Sequence, residues 1–246
     1  MHRRASGPDP GGRTYPVTPP GTGPTPTERY PELVTRMTVS GIRTGPDMQD
    51  LRGAPPDAER VLCWPAGHRV IVSGLPGSGK STLMSRIAAA PGGRVLRLDS
   101  QDTRERWARR LPAWLPYACY RPGVRLAHYA RVRRALRGSC AVVVHDCGRS
   151  PWVRRWLARD SRRRGLGLHL VVLDVDPAEA LAGQSARGRR VSRAAFRGHR
   201  RAMARLLAEL EAGRMPSGCT SVTLLDGPSA RTVTGLFRTV GAPRAG

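Results

Sequence analysis

One octapeptide constrains this chain more than any other stretch: Gly74-Leu-Pro-Gly-Ser-Gly-Lys80-Ser81, which fits G-x-x-x-x-G-K-[ST]. It follows Arg69-Val-Ile-Val-Ser73, an apolar run that reads as a buried strand. It leads into Lys80 to Ala90, which reads as a helix stopped by Pro91-Gly92-Gly93. Glycines at this spacing let the backbone wrap into a nest with its N–H groups aimed inward. The first turn of the following helix adds unpaired amides and partial positive charge to the same concavity.

The rest of the chain repeats the alternation. Arg94-Val-Leu-Arg-Leu98, Ala141-Val-Val-Val-His145, Leu168 to Leu173 and Ser221 to Leu225 are four more apolar strands. Between them, residues 101–110 and 123–137 read as helices. So does the stretch capped by Ser150, with Pro151 at its first position and Gly165 at its end. Residues 177–212 read as helical, and a last helix is expected to run to about residue 240. Five apolar strands alternating with helices need right-handed crossovers. The expected fold is therefore α/β, a five-stranded mostly parallel sheet with helices on both faces.

Residues 1–30 hold seven Pro and five Gly, too little apolar surface to offset their ordering entropy. Residues 1–60 are expected to form a mostly disordered leader with a short ordered piece near Leu51, and 61–246 the folded domain. Met37 and Met48 are alternative start positions. No apolar stretch reaches the length of a membrane span, and the N-terminus lacks the apolar core of a secretory signal. Five cysteines without a C-x-x-C pair exclude a tidy disulfide framework or zinc ribbon and point to a reducing cytoplasm.

The net charge is +24. Of the 42 cationic side chains 41 are Arg, and the single Lys is Lys80, at the one place in the octapeptide that requires it. A field of this sign attracts polyanions, so non-specific contact with nucleic acid through the basic surface is expected. No RNP, KH or zinc-finger signature accompanies the charge.

A glycine nest with a lysine at its helix entrance is a Walker A loop, and it binds a nucleoside triphosphate. Gly74, Leu75, Pro76, Gly77, Ser78, Gly79, Lys80, Ser81 and Thr82 form the cradle. Lys80 reaches the β- and γ-phosphates, and the Ser81 hydroxyl is placed to ligate Mg²⁺. Asp146, ending the third strand, is a candidate to hold the metal through water. Asp99 and Asp102 follow the second strand, at the carboxyl edge where open α/β sheets place their ligands. Either could deprotonate an acceptor hydroxyl, with Arg104 holding an anionic acceptor. Residues 187–205 contain eight Arg and no acid. Arg187 and Arg190 are the candidates for an Arg-rich lid that stabilises the transferring phosphoryl group.

With these motifs in this order, residues 69–226 resemble the P-loop kinases of the polynucleotide kinase and zeta-toxin type. They also resemble the uncharacterised bacterial AAA-family ATP-binding proteins grouped with those kinases. The resemblance implies a P-loop NTPase fold and Mg²⁺ with ATP. Lys80 and Ser81 would sit on phosphates and metal, the acid after strand two would be the acceptor base, Asp146 would support the metal, and lid arginines would touch phosphates. Such relatives carry D-x-D or D-D before x-x-R. Here Gln101 stands in the middle position, flanked by Asp99 and Asp102, and the base stays open between the two. Oligomeric AAA+ machines fit poorly, because no helical small domain with sensor motifs is evident. The expected function is an ATP-dependent phosphotransferase acting on a hydroxyl of a small molecule or nucleic-acid end. The alternatives are a nucleic-acid-binding ATPase and a slowly hydrolysing, nucleotide-regulated interaction protein.

Overall fold

Every position of Arg69–Gly74 and of Leu168–Leu173 is buried, the mark of strands covered on both faces. They are the two central strands of the sheet. The computed structural model describes residues 47–55, 60–89, 94–146, 151–186 and 192–238. In chain order the strands are β1 Asp47–Asp50, β2 Arg60–Pro65, β3 Arg69–Gly74, β4 Val95–Leu98, β5 Ala141–Asp146, β6 Leu168–Leu173, β7 Ser221–Leu225 and β8 Val233–Arg238. The helices are α1 Lys80–Ala88, α2 Ser100–Ala108, α3 Tyr117–Leu136, α4 Pro151–Arg163, α5 Pro177–Ser185, α6 Arg193–Glu211 and α7 Gly227–Thr232. The main sheet runs β1-β7-β6-β3-β5-β4, and every neighbouring pair is parallel.

Strand alternation sends Ile71, Val142, Val144, Leu170 and Val172 to one face, under Val132 of α3, Leu157 of α4 and Leu206 of α6. Val70, Val72, Val143 and Val171 point to the other, under Leu83, Met84 and Ile87 of α1 and under the small parallel pair β2–β8. The five expected strands are all present in one sheet. The sixth, β1, is the ordered piece near Leu51, and it extends the edge beside β7. Arg52 holds the turn after it, donating to Asp50, to Asp174 at 2.8 Å and to Glu211 at 3.2 Å.

Three helix expectations change. The helix expected to run to residue 240 is instead α7, six residues long, followed by β8. Val233, Gly235 and Phe237 face inward with period two, and a Cβ at Gly235 would lie 2.9 Å from Ile87 Cγ2. A strand with its glycine against α1 therefore wins over a helix, where that glycine costs roughly 1 kcal/mol. The stretch 177–212 divides into α5 and α6, capped by the Asp176 and Ser192 side chains. Helix α3 starts six residues before the expected 123 and carries Pro122 inside it.

Arg69, only 1 % exposed, ties the far end of the sheet together. Its guanidinium donates to the carbonyls of Gly67 at 2.6 Å, Cys140 at 2.7 Å, Leu136 at 3.1 Å and Gly138 at 3.3 Å. One of these, the Leu136 carbonyl, is left orphaned by the last turn of α3, and pairing it is a usual role of a cation at a helix C-terminus. Among the described residues no helix is long and apolar enough to cross a membrane, and Cys63, Cys119, Cys140 and Cys219 are free thiols.

Candidate active site

The glycine nest lies at the carboxyl end of β3, between the two central neighbours β5 and β6. Gly77 and Gly79 adopt φ of 90° and 92°, the left-handed region that side chains rarely enter. Gly79 is the N-cap of α1 and supplies no side-chain cap, so the first amides of the helix stay available to an anion. Lys80 is 4 % exposed, and its ammonium donates across the loop to the Leu75 carbonyl.

The outer wall of the nest rests on α5. A Cβ on Gly183 would lie 2.6 Å from the Gly77 carbonyl oxygen, and Gln184 Nε2 donates to the Pro76 carbonyl at 3.0 Å. Helix α5 leads directly into the segment of the lid candidates. Arg187 and Arg190 themselves lie outside the described residues.

Ser81, on the first turn of α1, donates to Asp99 Oδ2 at 2.5 Å. Asp99 ends β4, is 1 % exposed and caps α2 by accepting from the Gln101 amide at 2.9 Å. Burial pushes its pKa up. The His145 ring, the Ser81 hydroxyl, the Gln101 amide and Arg97 outweigh burial and hold the carboxyl below its usual range. Asp102, one turn later, accepts at both oxygens from Arg97 Nη2, at 3.0 and 2.8 Å. Arg104 lies with its guanidinium carbon 4.2 Å from the Tyr117 ring centroid.

Asp146 and His145 exchange prominence relative to the sequence expectation. Val142 and Val144 belong to the core under α3, α4 and α6, whereas Ala141 and Val143 belong to the core under α1. By the same alternation Asp146 takes the first face, where Arg154 Nε lies 3.9 Å from its Oδ2, and His145 takes the face of α1. His145 Nδ1 lies 3.2 Å from Ser100 Oγ. Burial first, then the Lys80 charge, push its pKa down to about 3, and the Asp99 carboxylate opposes them. Counting parity along Ala141-Val-Val-Val-His145 was the signal that could have singled it out.

The oxygen set suits Mg²⁺. Among the described residues no group of three or more His, Cys, Asp or Glu side chains could hold a metal alone. The Ser81 hydroxyl and the buried Asp99 carboxylate meet beside the nest. That is the sparse donor set of an ion that keeps its waters and takes oxygens from phosphates.

A family model described as AAA domain matches residues 70–212, more than half of the chain. No curated protein matches it. Among solved structures, a gluconokinase from Sinorhizobium meliloti 1021 is 18% identical with a TM-score of 0.41, over 68% of this chain and 90% of that one. A provisionally assigned kinase from Chloroflexus aurantiacus is 16% identical with a TM-score of 0.46, over 67% and 87%. A tunicamycin resistance protein from Deinococcus radiodurans is 13% identical with a TM-score of 0.41, over 61% and 86%. With its nest, its buried Lys80 and its parallel sheet, the chain belongs to the AAA domain family of P-loop proteins.

Proposed function

We propose that the protein is a Mg²⁺-ATP-dependent phosphotransferase that acts on a hydroxyl. The observation that carries this reading is the 2.5 Å contact between Ser81, on the phosphate-binding helix, and the buried Asp99 at the end of β4. It supports the reading because it joins Ser81, the proposed metal ligand, to a carboxylate held below its usual pKa range. When bound, Mg²⁺ would sit on Ser81 with Asp99 behind it, and it would neutralise charge on the β- and γ-phosphates. The acceptor oxygen bonds to the γ-phosphorus as the bond to the ADP oxygen breaks, and the hydroxyl proton passes to Asp99. Both carboxylates accept at both oxygens, Asp102 from Arg97 and Asp99 from Ser81 and the Gln101 amide, and Asp99 is preferred because it is the one in contact with the phosphate-binding helix. Arg187 and Arg190 remain the proposed lid cations.

The test measures ATP consumption against a panel of nucleosides, sugars and 5′-hydroxyl oligonucleotides. One acceptor class is expected to raise turnover. Asp99→Asn should then lower kcat by about 10²-fold or more with ATP binding kept, and Asp102→Asn by less than about tenfold. Equal losses would move the base to Asp102, and turnover indifferent to every acceptor would end the kinase reading.

A nucleic-acid-stimulated ATPase is the second reading, favoured by one distribution. Arg155 and Arg159 on α4 and Arg197, Arg200, Arg201 and Arg205 on α6 are exposed, lie over the same core, and form no ion pair among the described residues. That reading requires ATPase activity raised by RNA or DNA and affinity falling steeply with salt.

A further inference from the structure

Two half-buried guanidinium groups on α2 and α3 lack the ion pair that such groups normally have. Arg106 of α2 and Arg131 of α3 form no ion pair among the described residues. Arg131 donates to a neutral partner, Thr103 Oγ1, at 3.2 Å. Thr103 lies one turn before Arg106 on α2, and burial first, then the like charge of Arg106, weaken the hold of Arg131 on its proton. The acid in the field of Arg131, Asp102, gives both oxygens to Arg97.

His128 lies one turn before Arg131 on α3. It is 5 % exposed, its Nδ1 has no hydrogen-bond partner, and its ring lies in the fields of Asp99, Arg131 and Asp102. Buried polar atoms are almost always paired, and half-buried cations are costly without a counter-charge. An anion between Arg106, Arg131 and His128 would relieve all three. Arg104 is not part of this group. It lies about 100° around α2 from Thr103, with its guanidinium on Tyr117.

We propose that the acceptor is a hydroxyl compound carrying a phosphate or carboxylate, and that this group binds between Arg106 and Arg131 with His128 as a third donor. The hydroxyl then faces Asp99. The word acceptor rests on the phosphotransferase reading; the anion subsite stands by itself.

The test follows histidine imidazole resonances by NMR in the full chain carrying Lys80→Ala, which disables the nucleotide loop. His128→Gln assigns the signals. Inorganic phosphate and acetate are titrated separately. One of them is expected to shift the His128 signals saturably while His68 and His169 stay still, and the tighter anion identifies the group. Arg131→Gln should weaken that binding at least tenfold. Should Arg131→Gln fail to fold, Arg106→Gln on the neighbouring helix is read the same way. No saturable shift with either anion, or an unchanged shift without Arg131, overturns the subsite. ATP binding to the unsubstituted chain is measured alongside. Retained ATP binding without a His128 shift sinks the subsite alone, and a His128 shift without ATP binding sinks the phosphotransferase reading alone.

Discussion

Arg69 and Lys80 are both buried cations, and they do opposite work. Arg69 meets four carbonyls, so its charge is spent on the fold. Lys80 meets one loop carbonyl, that of Leu75, at the entrance of a helix with no side-chain cap, so its charge is placed for a ligand. Replacing Arg69 by Met leaves those carbonyls buried without their donor. The expected loss is about 3 kcal/mol of unfolding free energy, read from urea denaturation, with ATP affinity unchanged in the folded fraction. A loss below about 1 kcal/mol would show that the carbonyls find other partners. Lys80 was legible in the sequence because its motif dictates it. Arg69 was not, since one arginine among 41 carries no mark of burial.

The phosphate loop is held by an element well away from it in sequence. Gly183 and Gln184 of α5 pack directly on Pro76 and Gly77. A glycine-to-alanine change inside a helix ordinarily stabilises by roughly 1 kcal/mol. Here the new methyl would meet the Gly77 carbonyl at 2.6 Å, backbone that has no room to yield. Gly183→Ala is therefore expected to lower both the melting temperature and ATP affinity, the latter about tenfold, in calorimetry. A more stable protein with full ATP affinity would contradict the clamp. Nothing in Pro177–Ser185 as a sequence foretold this contact. The same holds for α7 and β8, where the period-two pattern Val233, Gly235, Phe237 spans only three inward positions and becomes a strand by pairing with β2.

For the molecule as a whole, buried and half-buried histidines at both ends of the sheet carry acid sensitivity, His128 and His145 beside the nest and a hydrogen-bonded pair at the amino end of the two central strands. His68 Nδ1 lies 2.9 Å from His169 Nε2, and His169 Nδ1 lies 2.8 Å from Ser221 Oγ. Burial, then the Arg69 charge, hold His68 low; burial, then His68, push His169 down to about 3. An unfolded chain would protonate both near pH 6.5. Between about pH 6.5 and 3 the unfolded state thus binds more protons. The histidine contribution is complete above pH 6.5 and is lost as pH falls. Urea midpoints are expected to drop from pH 7 to pH 5, and His169→Gln should flatten that drop. An unchanged slope in the variant would assign the acid sensitivity elsewhere.

The α/β class, the five core strands and the nucleotide loop were written in local patterns. Apolar runs, punctuating Gly and Pro, and a motif of fixed spacing act through backbone geometry within a few residues. Whether His145 or Asp146 takes the face of α1, that Arg131 reaches Thr103, and that α5 props the nest depend on how distant segments pack. Those pairings join residues such as Ser81 and Asp99, or Pro76 and Gln184, that no local rule relates. Only the packed sheet and its covering helices, by fixing which side chains share a face, could decide them.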